Sequence, residues 1–318
     1  MPAISAGGNI ENELKELASD PEQSNEYEKK LYGFLAGVQK AQNDIIAGSF
    51  IDGAGANNTG NTLSNYEKFI TTIVSLLLAR NNPIILKRMN IFSTNYDMFI
   101  EKAVEEVSPL HVNDGFVGSC RIDAKFPFST HTFSNCMHNA GDYYKTYIPT
   151  INIIKLHGSL SWQSNEVGKI FFGNNSLPEL SNDDINDLDT LKERNKKYSN
   201  IIIPTLKKFE DTVLMQTYYD LLRIYSNELD KENSVMFVFG FSFNDERILE
   251  ITKRALKNTT LEVIIFAYGA AEVADFERKF TGFQNVKIVY DSANDANISF
   301  ERLNSIFSDI KPAEGQDV

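Results

Sequence analysis

The chain has few cysteines and no long apolar run. Only two of its 318 residues are cysteines, Cys120 and Cys136, which is too few for a disulfide framework or a four-cysteine zinc site. No apolar run approaches the roughly twenty residues that a membrane-spanning helix needs. The N-terminus also lacks the basic and apolar segments of a secretory signal. We therefore expect a cytoplasmic protein that does not engage a membrane.

The chain has fewer basic than acidic residues. Lysine and arginine together number 31 against 43 acidic residues, so the formal net charge is −12. Proteins that grip nucleic acid normally carry a basic excess or a basic stripe. The small basic clusters at 192–197 and 207–208 are flanked by acidic residues, which is typical of a solvated surface. Direct nucleic-acid binding is therefore disfavoured, although a single strand held in a local groove stays open.

The pattern of apolar residues changes at Asn90. Residues 1–89 have apolar residues at helical spacing and predict a largely helical region. Beyond them, short runs rich in Val, Ile and Phe alternate with amphipathic segments. This alternation predicts an α/β fold, a mainly parallel sheet with helices on both faces. The predicted strands are 90–94, 151–156, 201–203, 235–239, 261–267 and 286–290, and the predicted helices that follow or separate them include 210–229, 245–256, 271–280 and 299–310.

We expect a single domain over residues 1–310, followed by a disordered tail at 311–318. Two stretches break the alternation of strands and helices. We interpret 108–150 as a smaller, largely helical inserted module, and 165–199 as a surface excursion that is flexible around 181–189. The predicted helix at 26–46 must bury its apolar stripe, either in the core or in an oligomer interface.

Polar side chains follow two of the predicted strands. The sequence STNYD at 93–97 places Asn95 and Asp97 where a buried strand gives way to a helix, the edge at which open α/β sheets collect ligands. The sequence KLHGS at 155–159 places His157 in the same context. Simpler interpretations exist, because Asp97 can cap the next helix and a lone histidine is more often structural than catalytic. Together, the two motifs predict a small-molecule site.

A third motif, GFSFND at 240–245, again joins a strand to a helix through a glycine-containing turn. Free N–H groups at the start of the helix, with the Ser242 hydroxyl, are suited to receive a phosphate. The alternative is an ordinary turn in which Asn244 or Asp245 caps the helix. Each motif by itself is weak evidence, and their order along the chain is more specific.

The ordered set STNYD, KLHGS and GFSFND resembles the sirtuin superfamily. It is most similar to the sirtuin-like NADase domains of bacterial anti-phage defence systems, of the type paired with a HerA-type ATPase. The resemblance spans about residues 60–295 and implies a Rossmann-like sheet with a smaller inserted module. It also implies hydrolysis of NAD⁺ to nicotinamide and ADP-ribose without a metal, in a homo-oligomeric assembly with such an ATPase as partner.

The resemblance also implies roles for individual residues. Asn95 would orient the nicotinamide ribose and an attacking water, and Asp97 would contact the nicotinamide carboxamide. His157 would act as general base on a ribose hydroxyl, a role that suits a side chain titrating near neutral pH. The remaining expected NAD⁺ contacts lie in the same three motifs: Thr94, Tyr96, Gly158, Ser159, Gly240, Ser242 and Asn244.

The chain departs from the sirtuin pattern at its cysteines. Sirtuins that deacetylate proteins usually carry a four-cysteine zinc ribbon, whereas the two cysteines here form no C-x-x-C pair. A cluster of Cys136 with His131 and His138 matches the spacing of no common metal site. This departure favours plain NAD⁺ hydrolysis, and a NAD-dependent protein deacylase is the alternative.

A second departure concerns the glycine loop that cradles the diphosphate in sirtuins. The usual strand and Gly-Ala-Gly-x-Ser loop do not open this chain, and the Gly-Ala-Gly-Ala sequence at 53–56 follows a predicted helix rather than a buried strand. Our hypothesis is that the first strand and its loop are absent or lie upstream in a longer gene product. A third interpretation, a non-catalytic nucleotide-sensing or scaffolding subunit, draws its support from this gap.

Overall fold

The computed structural model describes residues 10–46, 59–79, 86–107, 111–118, 126–135, 138–140, 145–164, 169–173, 185–197, 212–291 and 297–310. The chain divides into two compact units, Met1–Tyr218 and Tyr219–Val318, and each is described by itself. Several features of the sequence analysis lie outside the described residues. They are the predicted strand at 201–203, the Gly-Ala-Gly-Ala sequence at 53–56, both cysteines and the predicted C-terminal tail.

Five α-helices lie wholly within the described part of the first unit. They are α1 (Ile10–Ser19), α2 (Ser24–Ile46), α3 (Thr59–Leu78), α4 (Phe99–Val107) and α5 (Leu188–Lys197). In α4 the buried residues are Ile100, Ala103 and Val104, the spacing that places side chains on one face of a helix. That face packs on α3.

A three-stranded parallel sheet forms the centre of the first unit. Its order is β1 (Arg88–Ser93), β5 (Thr150–Lys155), β2 (His111–Asn113). All six residues of β5 are buried, as expected for a central parallel strand. An asparagine from each strand meets its neighbour at the same level, since Asn113 Nδ2 donates to Asn152 Oδ1 (3.1 Å) and Asn152 Nδ2 donates to Asn90 Oδ1 (2.6 Å).

Among the described residues of the first unit, two apolar clusters hold its elements together. One joins α3 and α4 to the sheet through Ile151 and Ile153. The other packs the N-terminal helices against the chain that follows β5: Leu14, Leu31 and Leu35 surround Leu160. Leu31 and Leu35 are 5% and 1% exposed, so this part of the α2 stripe lies in the core of the chain.

The second unit also contains a parallel sheet. Its order is β10 (Val286–Val289), β9 (Glu262–Phe266), β8 (Val235–Phe239). Its helices are α6 (Thr212–Leu229), which begins in the first unit, α7 (Glu246–Ala255), α8 (Ala270–Lys279) and α9 (Phe300–Asp309). The fold is therefore α/β with parallel sheets flanked by helices, which confirms the predicted fold class.

The inserted module differs from its prediction as a largely helical segment. Among its described residues, β3 (His138–Ala140) and β4 (Lys145–Tyr147) form an antiparallel pair, and Thr130–Ser134 forms one 3₁₀ turn. A second short pair follows it, β6 (Trp162–Ser164) with β7 (Ile170–Phe172). The sequence explains the difference, because three prolines fall between 108 and 150 and each costs about 3 kcal/mol inside a helix.

The segment interpreted as a surface excursion contributes part of the core. Its helix α5 packs on α2, and Leu191 is fully buried. Asn195 Nδ2 donates to the Glu28 carbonyl oxygen at 3.0 Å, and Lys29 Nζ donates to Asn186 Oδ1 at 3.0 Å. Across the residues that the structure describes, no helix is long and apolar enough to cross a membrane.

Candidate functional site

The pairing of β1 with β5 places the first two motifs at the same edge of the sheet. Ser93, the last residue of β1, is in register with Lys155, the last residue of β5. The Leu156 amide donates to the Ser93 carbonyl oxygen at 2.8 Å, which continues the pairing one residue further. Asn95 and His157 each come two residues after their strand ends. An amide and an imidazole therefore leave neighbouring strands at equal offsets.

Local hydrogen bonds shape the turn after β1. The Asn95 amide N–H donates to Ser93 Oγ (3.1 Å), and the Phe99 amide N–H donates to Asp97 Oδ1 (3.2 Å) at the start of α4. The Asp97 carboxylate therefore satisfies the first amide of α4, in keeping with its simpler interpretation, from one position before Met98, whose carbonyl oxygen accepts the first helical hydrogen bond. A carboxylate has two acceptor oxygens, and this hydrogen bond uses Oδ1. Thr94 is half-buried between these residues.

A buried lysine holds this turn from the neighbouring strand. Lys155 Nζ donates to the carbonyl oxygens of Asp97 (2.5 Å) and Asn95 (3.5 Å). It also lies 3.3 Å from Glu101 Oε2, and the two side chains are 3% and 20% exposed. Burial raises the pKa of the Glu101 carboxyl, while the Lys155 ammonium acts in the opposite direction. The Lys155–Glu101 pair therefore connects the two motifs and α4.

Ser159 holds the same turn from the second motif. Its hydroxyl donates to the Tyr96 carbonyl oxygen (3.4 Å), which also accepts from the Leu160 amide (3.0 Å). Ser159 is 1% exposed, so these contacts are internal to the protein. The Tyr96 side chain packs on the N-terminal helices with Leu160. Gly158 has φ +82°, a left-handed conformation that glycine adopts without strain.

Tyr66 reaches the site from α3. A hydrogen bond joins its hydroxyl to the Asn95 side chain, and its ring stacks on Phe99 with centroids 5.7 Å apart. Burial raises the pKa of Tyr66, and the carboxylates of Asp97 and Glu101 raise it further, against the opposing effect of the Asn95 bond. The phenol is therefore neutral at physiological pH, and its hydroxyl restrains the amide of Asn95.

His157 is half-buried after β5. Its ring centroid lies 6.3 Å from that of Tyr218, with the planes inclined at 52°. Leu156 before it is 2% exposed and Gly158 after it is buried. The imidazole is thus carried on a segment that is fixed on both sides, which is what a positioned proton acceptor needs.

The third motif forms a tight turn in the second unit. Gly240 and Phe243 both have positive φ, +64° and +56°. Phe243 is 1% exposed, and its ring packs against those of Phe241, Phe276 and Phe280. A left-handed phenylalanine is strained, so this aromatic packing stabilises the conformation of the turn.

The start of α7 is already capped. Asp245 Oδ1 accepts from the amides of Arg247 (2.9 Å) and Ile248 (3.3 Å), which is the capping alternative for this motif. Lys279 Nζ, from α8, donates to the Ser242 carbonyl oxygen (2.6 Å) and to Asn244 Oδ1 (2.9 Å). Two of the N–H groups considered for a phosphate are therefore engaged by a carboxylate, and Lys279 supplies a cation beside the turn.

Three residues of the first-unit site, Lys155, Glu101 and Tyr66, were not predicted from the sequence. Lys155 stands in an otherwise apolar strand, and a buried lysine requires an anionic partner, so its position carried a usable signal. Glu101 follows Asp97 by one helical turn and was the nearest candidate partner. Tyr66 lies far upstream on α3, and no local pattern indicates its contact with Asn95. Within the described residues, no group of three metal-ligating side chains gathers; Cys136 lies outside them.

No curated protein matches this chain. A family model described as SIR2-like domain matches residues 89–288. The match covers more than half of the chain and includes all three motifs, whereas the helices α1 to α3 precede it. The chain therefore belongs to the family of SIR2-like domains.

Proposed function

We propose that this protein is a NAD⁺ glycohydrolase that cleaves NAD⁺ to nicotinamide and ADP-ribose, as an effector of bacterial anti-phage defence. SIR2-like domains use NAD⁺, so a NAD-related activity follows from the family. The hydrolytic reaction and the defence role are the proposal. They are supported by the likeness of the three motifs to those of sirtuin-like defence proteins.

One observation carries the proposal: Asn95 and His157 have equal offsets from two paired strand ends. Hydrolysis of the glycosidic bond develops positive charge on the ribose, so it needs positioned polar and anionic groups more than a strong nucleophile. The carboxylate of Asp97 and the amide of Asn95 are groups of that kind. The imidazole of His157 has a ring nitrogen that can accept a proton from a hydroxyl.

Water is the only co-reactant that the proposed reaction needs. The electron pair of the broken bond leaves with nicotinamide, which becomes neutral, while water adds to the ribose carbon and releases a proton. Asn95 would orient the water and the ribose, Asp97 the carboxamide, and His157 a ribose hydroxyl. With two cysteines in the chain, the four-cysteine zinc ribbon of protein deacetylases cannot form, which favours hydrolysis over deacylation.

A homo-oligomer and a HerA-type ATPase partner complete the proposal. Both rest on the resemblance alone, which is an argument by analogy. The second unit exposes aromatic side chains along β8, with Phe237 46% exposed. Co-expression with an ATPase encoded beside this gene, followed by size-exclusion chromatography, tests the partnership.

The deciding experiment incubates the purified protein with NAD⁺ and follows nicotinamide. Each reaction is run with and without an acyl-lysine peptide, and with and without the neighbouring ATPase. Release that needs no peptide supports the hydrolase. Release only with the peptide would replace it by a deacylase. No release in any mixture would leave a non-catalytic nucleotide-sensing subunit.

A further inference from the structure

We propose that Lys155 is a positioning residue for the candidate site: its ammonium, which lies beside the Glu101 carboxyl, fixes the backbone turn that carries Asn95 and Asp97. The inference deepens the proposed function and rests on it for its kinetic consequence. The resemblance to sirtuins assigns no role to Lys155 or Glu101. Lys155 would not touch the substrate, because its ammonium is occupied within the protein.

Lys155 joins the ends of the two strands, and we call its contacts with Asn95, Asp97 and Glu101 the clamp. Its backbone ends β5, while its side chain donates to the carbonyl oxygens of Asp97 at 2.5 Å and Asn95 at 3.5 Å. These carbonyls belong to the turn after the neighbouring strand, 58 and 60 residues away in sequence. A charge-assisted hydrogen bond is shorter and stronger than a neutral one. One side chain thus sets the distance between the turn after β1 and the strand that leads to His157.

Glu101 is the counter-charge of the clamp. Its Oε2 lies 3.3 Å from Lys155 Nζ and has no hydrogen-bond partner among the described residues. Removing one member of such a pair leaves a buried charge without compensation, which is strongly destabilising. Replacing both members with apolar side chains of similar size is often neutral for stability. Replacing both members therefore removes the hydrogen bonds of Lys155 without leaving an unpaired buried charge. Such a variant tests positioning separately from stability.

The experiment compares wild type with the double variant Lys155→Met/Glu101→Leu. The variant retains a packed interior but cannot donate to the carbonyls of Asn95 and Asp97. We expect a melting temperature close to that of wild type, an unchanged KM for NAD⁺, and a kcat for nicotinamide release that is lower by about 10- to 100-fold, because small misplacements of reacting groups have effects of that size. A melting temperature retained together with a kcat within about threefold of wild type would overturn the proposal.

Two further measurements keep the test independent of stability and of the proposed function. The control variant Lys102→Met/Glu106→Leu makes the same changes on α4, at a surface pair with an N–O distance of 3.0 Å, and should retain kcat. Amide hydrogen exchange of the segment 93–99 needs no activity. Faster exchange there in the Lys155 double variant, but not in the control, supports the clamp even if wild type releases no nicotinamide. Unchanged exchange contradicts the clamp, whatever NAD⁺ turnover shows.

If the double variant loses its fold, Lys155→Arg replaces it. Arginine keeps the charge and donors but presents a planar fork in place of a compact ammonium. We expect it to restore charge pairing with Glu101 and to leave kcat below that of wild type, with exchange in 93–99 still accelerated. Full kcat with wild-type exchange in this variant would show that charge alone is required, which contradicts positioning by the lysine geometry.

Discussion

Lys155 Nζ donates to the carbonyl oxygen of Asp97 at 2.5 Å, so a residue of the second motif holds the turn of the first. The register of the two strands explains how this contact arises, because Ser93 and Lys155 end β1 and β5 at the same level. The Lys155 ammonium therefore joins the two motifs directly.

Tyr66→Phe should slow nicotinamide release without unfolding the protein. The change removes the hydroxyl that is bonded to the Asn95 side chain and keeps the ring stacked on Phe99. A neutral hydrogen bond contributes about 1 kcal/mol, so we expect kcat to fall about five- to tenfold with the free energy of unfolding lower by no more than about 1 kcal/mol. Steady-state kinetics and urea unfolding measure both.

The matched control for that prediction is Tyr290→Phe. Tyr290 is 42% exposed and follows β10 in the second unit, and we assign it no part in the site. Its loss of a hydroxyl should leave kcat unchanged. A Tyr66→Phe enzyme with the kcat of wild type would show that Tyr66 does not orient Asn95.

Substitutions of Asp97 separate its capping role from its expected catalytic role. The side-chain oxygen of asparagine can accept the same hydrogen bond from the Phe99 amide, so Asp97→Asn should change the free energy of unfolding by less than about 0.5 kcal/mol. The carboxylate is lost, however, and we expect nicotinamide release to fall at least about tenfold. Asp97→Ala removes the cap as well and should destabilise the protein by about 1 kcal/mol. Normal turnover in the asparagine variant would reduce Asp97 to a helix cap.

The stability of the protein should depend on pH through Glu101. Burial raises the pKa of this carboxyl above its ordinary value of 4.5, so the folded state keeps its proton to a higher pH than the unfolded chain does. The contribution of Glu101 to stability therefore falls as pH rises from about 4.5 to the raised pKa, and is constant outside this window. Glu101→Gln removes the titration, so the stability of the variant relative to wild type should increase with pH across this window.

Paired urea titrations of wild type and Glu101→Gln between about pH 4 and pH 8 measure this difference. A relative stability that decreases with rising pH would mean that the Lys155 ammonium outweighs burial, with a pKa below the ordinary value. That result would contradict the raised pKa of Glu101.

Asp245→Asn tests whether the diphosphate approaches the start of α7. The carboxylate caps the helix by accepting from Arg247 and Ile248, and asparagine can retain this cap. If an anionic group of NAD⁺ lies near this end of the helix, removing the negative charge should lower KM by about two- to fivefold at unchanged stability. An unchanged KM would place the diphosphate elsewhere.

Much of the α/β pattern could be predicted because local signals determined it. The strand at 235–239 and the helix at 245–256 agree with β8 and with α7 to within a residue or two, since apolar runs and an N-capping aspartate are readable in sequence. Helix α5 could not be predicted in this way. Its sequence is mostly polar, and Leu191 is buried only because α2 lies against it.

The candidate site was predictable to a similar degree. Residues that follow strand ends, such as Asn95 and His157, are marked by a change from apolar to polar sequence. The contacts that orient them are not marked, because Tyr66 on α3 and Glu101 on α4 reach the turn through packing. The contact of Ser159 also depends on packing, since its burial brings its hydroxyl to the Tyr96 carbonyl oxygen.

The most direct test of the central claim is nicotinamide release by Asn95→Ala and His157→Ala, each compared with wild type at saturating NAD⁺. We expect both variants to keep the melting temperature of wild type and to lose at least about a hundredfold in kcat, because the amide and the imidazole form one site at the paired ends of β1 and β5. Wild-type turnover by either folded variant would contradict the assignment of the site.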